Sequence, residues 1–391
     1  MNADVVVLGA GPAGCALGVY LARRGARVTL VEGVATPGSV VGESMLPCSS
    51  RVFEECGLDL DGFQVKHGAV FCRDGEEARF DFAEAERPRW TAAWQVQREV
   101  FDLRWRALAE GAGCHIRYAQ AIGVDLADHV LHTDGGSIRG EWIVDAGGRQ
   151  MWLAGRLGLR QGDPSLRNSA VGTRMSGVHP VGVDHPGDIT ICCIPEGWIW
   201  IIPFGQGVAS VGCVFSPRSG IHGTPEARLA AAIAISPDAT ARLQGATRRL
   251  PLRGLQDFTA SASRFSGAGF ALVGDAATFI DPVFSSGVLL GLEGARGLAQ
   301  ALDGGDLVAW EADYRAAVSV FRQVIDCWYD GDFMTLALAP RALQKPYIRR
   351  GIVSLLAGDV FDADRPAAAR MAKRMPGLAG QVRELSAPAA G

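Results

Sequence analysis

At 391 residues and 48% hydrophobic content, the chain can fill one large domain or two interleaved ones around a sizeable core. Its net charge of −4 gives no electrostatic reason to expect nucleic acid or an anionic membrane as a partner. The apolar runs are broken by Gly, Arg or Asp before reaching membrane-spanning length, and the nine cysteines include no CxxC pair, so neither a membrane span nor a metal site is expected.

The start, MNADVVVLGAG, has no basic leader region and enters a strand at once. No signal peptide is expected, and the scattered thiols read as reduced and mostly buried, in the cytoplasm. Val5 to Leu8 reads as a buried parallel-type strand. Gly9, Gly11 and Gly14 follow as G-x-G-x-x-G, then a helix ending near Arg23 and Arg24 with Gly25 as its stop, then a second strand from Arg27 to Val31. Glu32 closes that strand, 18 positions after the last glycine. A lone glycine motif is weak evidence. Between a strand and a helix, with an acid at the end of the next strand, it marks a dinucleotide site. The glycines admit a pyrophosphate to the helix N-terminus, and Glu32 can accept hydrogen bonds from the adenosine ribose.

Further along, GFQVKHGAVF (62–71) carries Lys66, one of only three lysines among 38 basic residues. A chain that uses arginine wherever it serves keeps a lysine where lysine chemistry is needed, or by chance on the surface. Strand-like stretches follow at 61–82, with a turn at Asp74-Gly75, and at 189–215, with a turn at Gly205-Gln206-Gly207. Between them QVQREVFD carries Arg98, and EWIVDAGGRQ reads as a strand ending in Asp145 and two glycines. In GWIWIIPFGQG, Trp198 and Trp200 alternate with isoleucines and so share one face of a strand. Last comes GFALVGDAATFIDPVFSSGVLLGLEGARGLAQAL (269–302): a strand, Gly274-Asp275, a loop, and a helix from Val288 to about Leu302. A second Gly-Asp element over 200 residues beyond Glu32 belongs to no simple NAD domain.

Together the three elements resemble the FAD-binding fold of aromatic hydroxylases and flavin-dependent halogenases, over essentially the whole chain. Gly197, Trp198, Trp200, Ile202 and Pro203 match the halogenases' G-W-x-W-x-I-P. Phe279, Pro282, Ser285 and Gly287 match their F-x-x-P-x-x-S-x-G, and the segment around Lys66 looks like the one bearing their active-site lysine. GES at 42–44 and LLAGDVFD at 355–362 add to the likeness.

The resemblance implies an α/β fold: a Rossmann-type FAD domain from 1–60, 95–165 and 262–305, an inserted antiparallel-sheet substrate domain from 61–94 and 166–261, and C-terminal helices in 306–391 ending in a flexible SAPAAG. It also implies reduced FAD and O2 as reactants, a flavin C4a-hydroperoxide, and a halide oxidised to hypohalous acid. Asp275 would hold the ribityl and pyrophosphate region, with Arg98 over the cofactor. The loop of Pro282, Ser286 and Gly287 would bind the halide. Trp198 and Trp200 would wall the flavin from a separate substrate chamber, where Lys66, desolvated into its neutral form, would handle the hypohalous acid.

Tryptophan halogenases place a glutamate before the serine pair, and here that position is Phe284. The loop is closer to halogenases of phenols or pyrroles, often carried on a carrier protein, and the C-terminal region is shorter than in many halogenases. No second nucleotide motif is present, so a separate flavin reductase is the expected partner. Two other readings stay open at this point. One is a monooxygenase hydroxylating an aromatic side chain, such as tryptophan, in a peptide or protein. The other is a non-catalytic flavin-binding assembly factor.

Overall fold

The structure is a computed structural model that describes residues 2–38, 40–179, 184–256, 259–362 and 367–386. Asn2–Leu8 begins three residues earlier than its apolar run suggests, and pairs in parallel with Val28–Glu32 on one side and Gly136–Asp145 on the other. Phe270–Leu272 joins the far edge and His115–Tyr118 the near one, both in parallel. Val5–Leu8, Leu30, Val31, Ile143, Val144 and Phe270–Leu272 are apolar and buried, as the inner positions of a covered parallel sheet require. Helix Pro12–Ala22 packs on one face beside helix Ser286–Leu302, and Arg98–Gly111 lies against the first of these.

A second sheet runs in the order Thr247–Arg248, Ser169–Ser176, Val208–Phe215, Gly197–Gly205, Ile189–Ile194, Gly68–Arg73, Glu76–Asp81. Its hairpin turns fall at Asp74-Gly75, Pro195-Glu196 and Gln206-Gly207. The sheet is not wholly antiparallel: Ile189–Ile194 pairs with Gly68–Arg73 in parallel. These two strands are joined by no hairpin, so nothing local imposes an antiparallel pairing. One face, with Ile199, Ile201 and Cys213, buries against Leu229, Ala232 and Leu243 of helices Pro225–Ile235 and Pro237–Leu243. The other face, with Trp198, Trp200 and Ile202, belongs to the main core. Period-two alternation thus sends both tryptophans to the side of the FAD-type domain.

The C-terminal region forms helices Leu307–Tyr329, Asp332–Ala337, Pro340–Leu343, Pro346–Ala357 and Ala367–Ser386. Of the SAPAAG end, all but Ser386 lies outside the described residues. None of the described helices is long and apolar enough to cross a membrane. All nine cysteines are free, and no group of residues suited to a metal ion occurs among the described residues.

Candidate active site

A cavity of about 580 Å³ runs between the two sheets. At one end it is lined by Gly9, Gly11, Glu32 and Arg106, in the middle by Arg98, Arg149 and Asp275, and at the other by Trp198, Trp200, Pro282, Ser285 and Gly287.

The three glycines of the first turn do different work. Gly9 has φ +91°, and a Cβ there would lie 2.6 Å from the carbonyl oxygen of Ala146. A Cβ on Gly14 would lie 2.1 Å from the carbonyl oxygen of Gly9, so glycine lets helix and strand approach. Around Gly11 there is nothing within 4 Å of a built Cβ. Gly11 caps helix Pro12–Ala22 with no side-chain hydrogen bond, so the first amides of that helix point into open space.

Glu32 accepts hydrogen bonds from the Ala10 N–H (2.9 Å) and the Val34 N–H (3.0 Å), and it pairs with Arg106 at 3.3 Å. Arg106 also donates to the carbonyls of Ala10, Val34 and Ala35, so this one guanidinium shapes the adenosine end. Sequence reading missed it. The signal was present: Arg98, Asp102 and Arg106 stand at i, i+4 and i+8 on one face of helix Arg98–Gly111. Arg98 donates to both oxygens of Asp102 and to the carbonyls of Val41 and Gly42, fixing the loop that lines the cavity opposite. Asp145 is spent on the fold: it accepts from the amides of Gly147 and Leu153 and so holds the glycine turn.

Asp275 is the cavity's orphan. Among the described residues no group donates a hydrogen bond to its carboxyl, although Arg149 and Arg98 act on it at longer range. Burial pushes its pKa up to about 6 against those two charges. Its oxygens face the cavity with no protein donor, so they are free to accept from a ligand there. An open anion-ready helix end, an acid at the ribose position and an unsatisfied carboxylate midway fit FAD: Gly11 and the amides after it for the pyrophosphate, Glu32 for the ribose, Asp275 for the ribityl hydroxyls. Asp275→Asn is expected to weaken FAD binding about tenfold to a hundredfold, the worth of a hydrogen bond to a charged group. For the parent protein, affinity should fall as pH drops through about 6, since protonation removes the charge that makes the carboxyl a strong acceptor, and the Asn variant should show no such step. Titration of FAD across pH 5–8 reads both.

The Trp200 indole is held by its own sheet. Trp198 and Trp200 are 1% and 4% exposed, with ring centroids 5.9 Å apart. Trp200 stands opposite Gly212, which stands opposite Gly172. A Cβ on either glycine would lie 2.6 Å or less from the Trp200 ring, so the indole lies across two bare strand positions. The Trp200 indole N–H donates to Ser210 Oγ at 3.1 Å.

Lys66 is not part of the cavity lining. It is 1% exposed, at the end of the short strand Gln64–Lys66. Its ammonium donates to Ser44 Oγ (2.9 Å) and to the Met45 carbonyl (3.1 Å), and lies 5.3 Å from the centre of the Phe82 ring. Burial pulls its pKa down to about 7, only partly countered by Asp188. Ser44 itself lines the cavity, so one hydroxyl separates the lysine from the cofactor space.

Phe284 also lies off the cavity. It packs with Phe333 (5.0 Å) and Trp328 (6.1 Å), and Trp328 reaches Trp198 at 6.4 Å and Phe71 at 6.0 Å. Behind the wall there is thus a packed aromatic cluster, with two of its rings supplied by the C-terminal helices. In the FIDPVFSSGV loop, Ser285 and not Ser286 lines the cavity together with Pro282 and Gly287. The following helix starts at Ser286, two residues earlier than expected, and turns the Ser286 side chain inward to 2% exposure. Ser285 caps it at φ +55° without a side-chain hydrogen bond, leaving the N-terminal amides open.

Fold and cavity define an FAD-dependent oxidoreductase with two tryptophans lining its cofactor cavity. Residues 71–332 match the tryptophan halogenase family model, and the chain belongs to that family of flavin-dependent halogenases. It is 30% identical over 86% of its length to a tryptophan 2-halogenase from Chondromyces crocatus, of which it spans 67%. It is 28% identical over 93% of its length to a 1H-pyrrole-2-carbonyl peptidyl-carrier-protein chlorinase from Pseudomonas fluorescens, of which it spans 90%. Among solved structures, a flavoprotein/dehydrogenase from Cytophaga hutchinsonii superposes with a TM-score of 0.88 at 29% identity, covering 99% of this chain and 100% of that one. The flavin-dependent brominase Bmp2 superposes with a TM-score of 0.84 at 24% identity, covering 97% of this chain and 100% of that one, a likeness of fold.

Proposed function

We propose that this halogenase acts on an electron-rich ring of the pyrrole or phenol type, presented on a carrier protein. Bound and reduced, the flavin supplies the means to oxidise a halide with O2. The residues of the chain do the rest. The uncapped amides at the start of helix Ser286–Leu302, beside Gly287, favour an anion next to the cofactor. Trp198 and Trp200 keep the acceptor ring away from the flavin. Lys66, with its pKa near 7, presents a neutral amine that can hydrogen-bond hypohalous acid or take up its halogen, the oxygen–halogen bond breaking and the amine proton leaving with the hydroxide as water.

The observation that carries this reading is that Lys66 lies off the flavin cavity, with the cavity-lining Ser44 between them, while Trp198 and Trp200 line the cavity itself. Direct oxygen transfer needs the acceptor beside the flavin; a released oxidant needs a handler elsewhere. The pyrrole reading is supported by size. The chain spans 90% and 93% of two relatives named for carrier-bound pyrrole chlorination and bromination, against 67% of the tryptophan 2-halogenase. Phe284, among the aromatic rings, leaves that loop position without a carboxylate for free tryptophan. The absence of a second nucleotide motif supports delivery of reduced FAD by a separate reductase, and nine free thiols support a reducing, cytoplasmic setting.

The test supplies reduced FAD, O2 and either chloride or bromide, with pyrrole-2-carboxylate offered both free and on a carrier protein. Product carrying halogen, formed from the tethered form only when halide is present, is expected. Product that gains oxygen without any halide requirement would overturn the reading in favour of hydroxylation.

A further inference from the structure

The hydroxyl of Tyr329, at the last residue of helix Leu307–Tyr329, collects four segments of the chain at one point. It donates to Asp281 Oδ2 at 2.7 Å. It accepts from Asn168 Nδ2 at 2.7 Å and from the Trp198 indole N–H at a long 3.4 Å. Asn168 also donates to Asp281 Oδ2 at 3.2 Å, and Asp281 Oδ1 accepts the Val283 N–H at 3.0 Å. Asp281 and Asn168 are 2% and 3% exposed. A phenolic hydroxyl has one proton and two lone pairs, and all three are used here. Such a network is worth keeping only if every member is satisfied.

Its placement gives it meaning. Asp281 immediately precedes Pro282, which lines the flavin cavity, and Trp198 is half of the wall. One residue before Tyr329 stands Trp328, a ring of the cluster behind that wall. The two wall indoles are tied differently: Trp200 to Ser210 of its own sheet, Trp198 only to Tyr329 on a helix from another part of the chain. We propose that Tyr329, braced by Asp281 and Asn168, is a positioning residue that holds Trp198 in the wall and locks the C-terminal helices to the flavin-side loop. In that role it keeps water from the flavin side, and so sets how much of the oxidising power of O2 reaches the acceptor as hypohalous acid and how much ends, with the flavin reoxidised, as hydrogen peroxide.

The inference rests on the halogenase reading for its second measurement alone. The first uses the protein without flavin. In a nitrogen–proton spectrum of the indoles, with Trp198 assigned through Trp198→Phe, Tyr329→Phe should shift the Trp198 N–H signal and speed its solvent exchange about tenfold or more, as expected when a buried N–H loses its partner. The Trp200 signal should stay in place. In the second measurement FAD affinity should remain within about twofold, while halogenated product per flavin oxidised falls severalfold and hydrogen peroxide accounts for the difference. A tyrosine that served stability alone would lower the melting temperature and leave the ratio of product to peroxide unchanged. That result, or an unmoved Trp198 signal, overturns the proposal. Should Tyr329→Phe not fold, Asn168→Ala removes one brace and should move both readouts in the same direction by less. No halogenated product from the parent protein would sink the halogenase reading while leaving the indole measurement to decide the tie.

Discussion

Replacing Lys66 by methionine is expected to reduce halogenated product by on the order of a thousandfold, the range lost when a group that handles a proton or a reactive atom is deleted, while making the folded protein more stable at neutral pH. Two facts pull in opposite directions. The amine is fully buried and its pKa falls to about 7 from the usual lysine range. Folding therefore opposes its charge. An unfolded lysine is protonated below about pH 10.4. As pH falls from there to 7, the unfolded chain takes up a proton that the folded chain resists, and the folded state loses stability. Below about 7 the loss is complete and constant. Its size is a few kcal/mol, at about 1.36 kcal/mol for each unit of pKa. Methionine fills a similar volume without a charge. Against this, Ser44 Oγ and the Met45 carbonyl lose their donor, at about 1 kcal/mol each. The net effect is a higher melting temperature for Lys66→Met at pH 7 and below, shrinking as pH rises toward 10. FAD affinity should hardly change, because Lys66 does not line the cavity. Thermal melts across pH 6–10, FAD titration and product analysis give three independent checks. Retained halogenation would remove Lys66 from the chemistry. A destabilised variant at pH 7 would mean that the ammonium is better solvated by Ser44 and Met45 than its burial implies.

What could be read from the sequence was what local geometry fixes. Strand, glycine turn, helix and terminal acid follow one another within residues 2–32, so Gly9, Gly11, Gly14 and Glu32 could be placed without knowing any distant contact. Alternation placed Trp198 and Trp200 on one face, and the scarcity of lysine drew attention to Lys66. The structure then put Lys66 behind the cavity lining, which no spacing rule could show, because its neighbours Ser44, Met45 and Phe82 come from other segments. The same holds for the glycines beneath Trp200. Gly172 and Gly212 look like ordinary weak points in two strands until the register sets both against the indole. Asn168, Asp281 and Tyr329 are over 40 residues apart from one another and carry no motif that joins them. Their hydrogen bonds exist only once the C-terminal helices have docked. In the loop at 282–287 the motif marked Pro282 and Gly287, which line the cavity, but the start of the helix turned Ser286 inward and left Ser285 facing the cavity.

Gly11→Val is expected to remove FAD binding, by on the order of a hundredfold, from a protein that otherwise folds almost as well as its parent. The backbone at Gly11 has φ −81° and ψ −176°, an extended conformation open to any residue. Nothing lies within 4 Å of its Cβ position, so a valine meets no protein atom there at first contact. It does lose some quality as a helix cap, at a few tenths to about 1 kcal/mol relative to glycine. The larger consequence falls on the ligand. The branched side chain fills the space over the helix amides where the pyrophosphate is expected, and overlap of this kind costs about 1–3 kcal/mol in a packed site, with the lost amide contacts added to it. Gly14→Val supplies the contrast. Its Cβ would lie 2.1 Å from the Gly9 carbonyl oxygen, a backbone atom that cannot give way, so that variant should fail in folding before binding can be asked about. Melting curves without flavin separate the two: near-parental for Gly11→Val, strongly lowered or absent for Gly14→Val. Calorimetric titration with FAD then reads the site itself. A Gly11→Val protein that binds FAD as well as the parent would show that the cofactor does not approach this helix end, and would take the glycine turn out of the site.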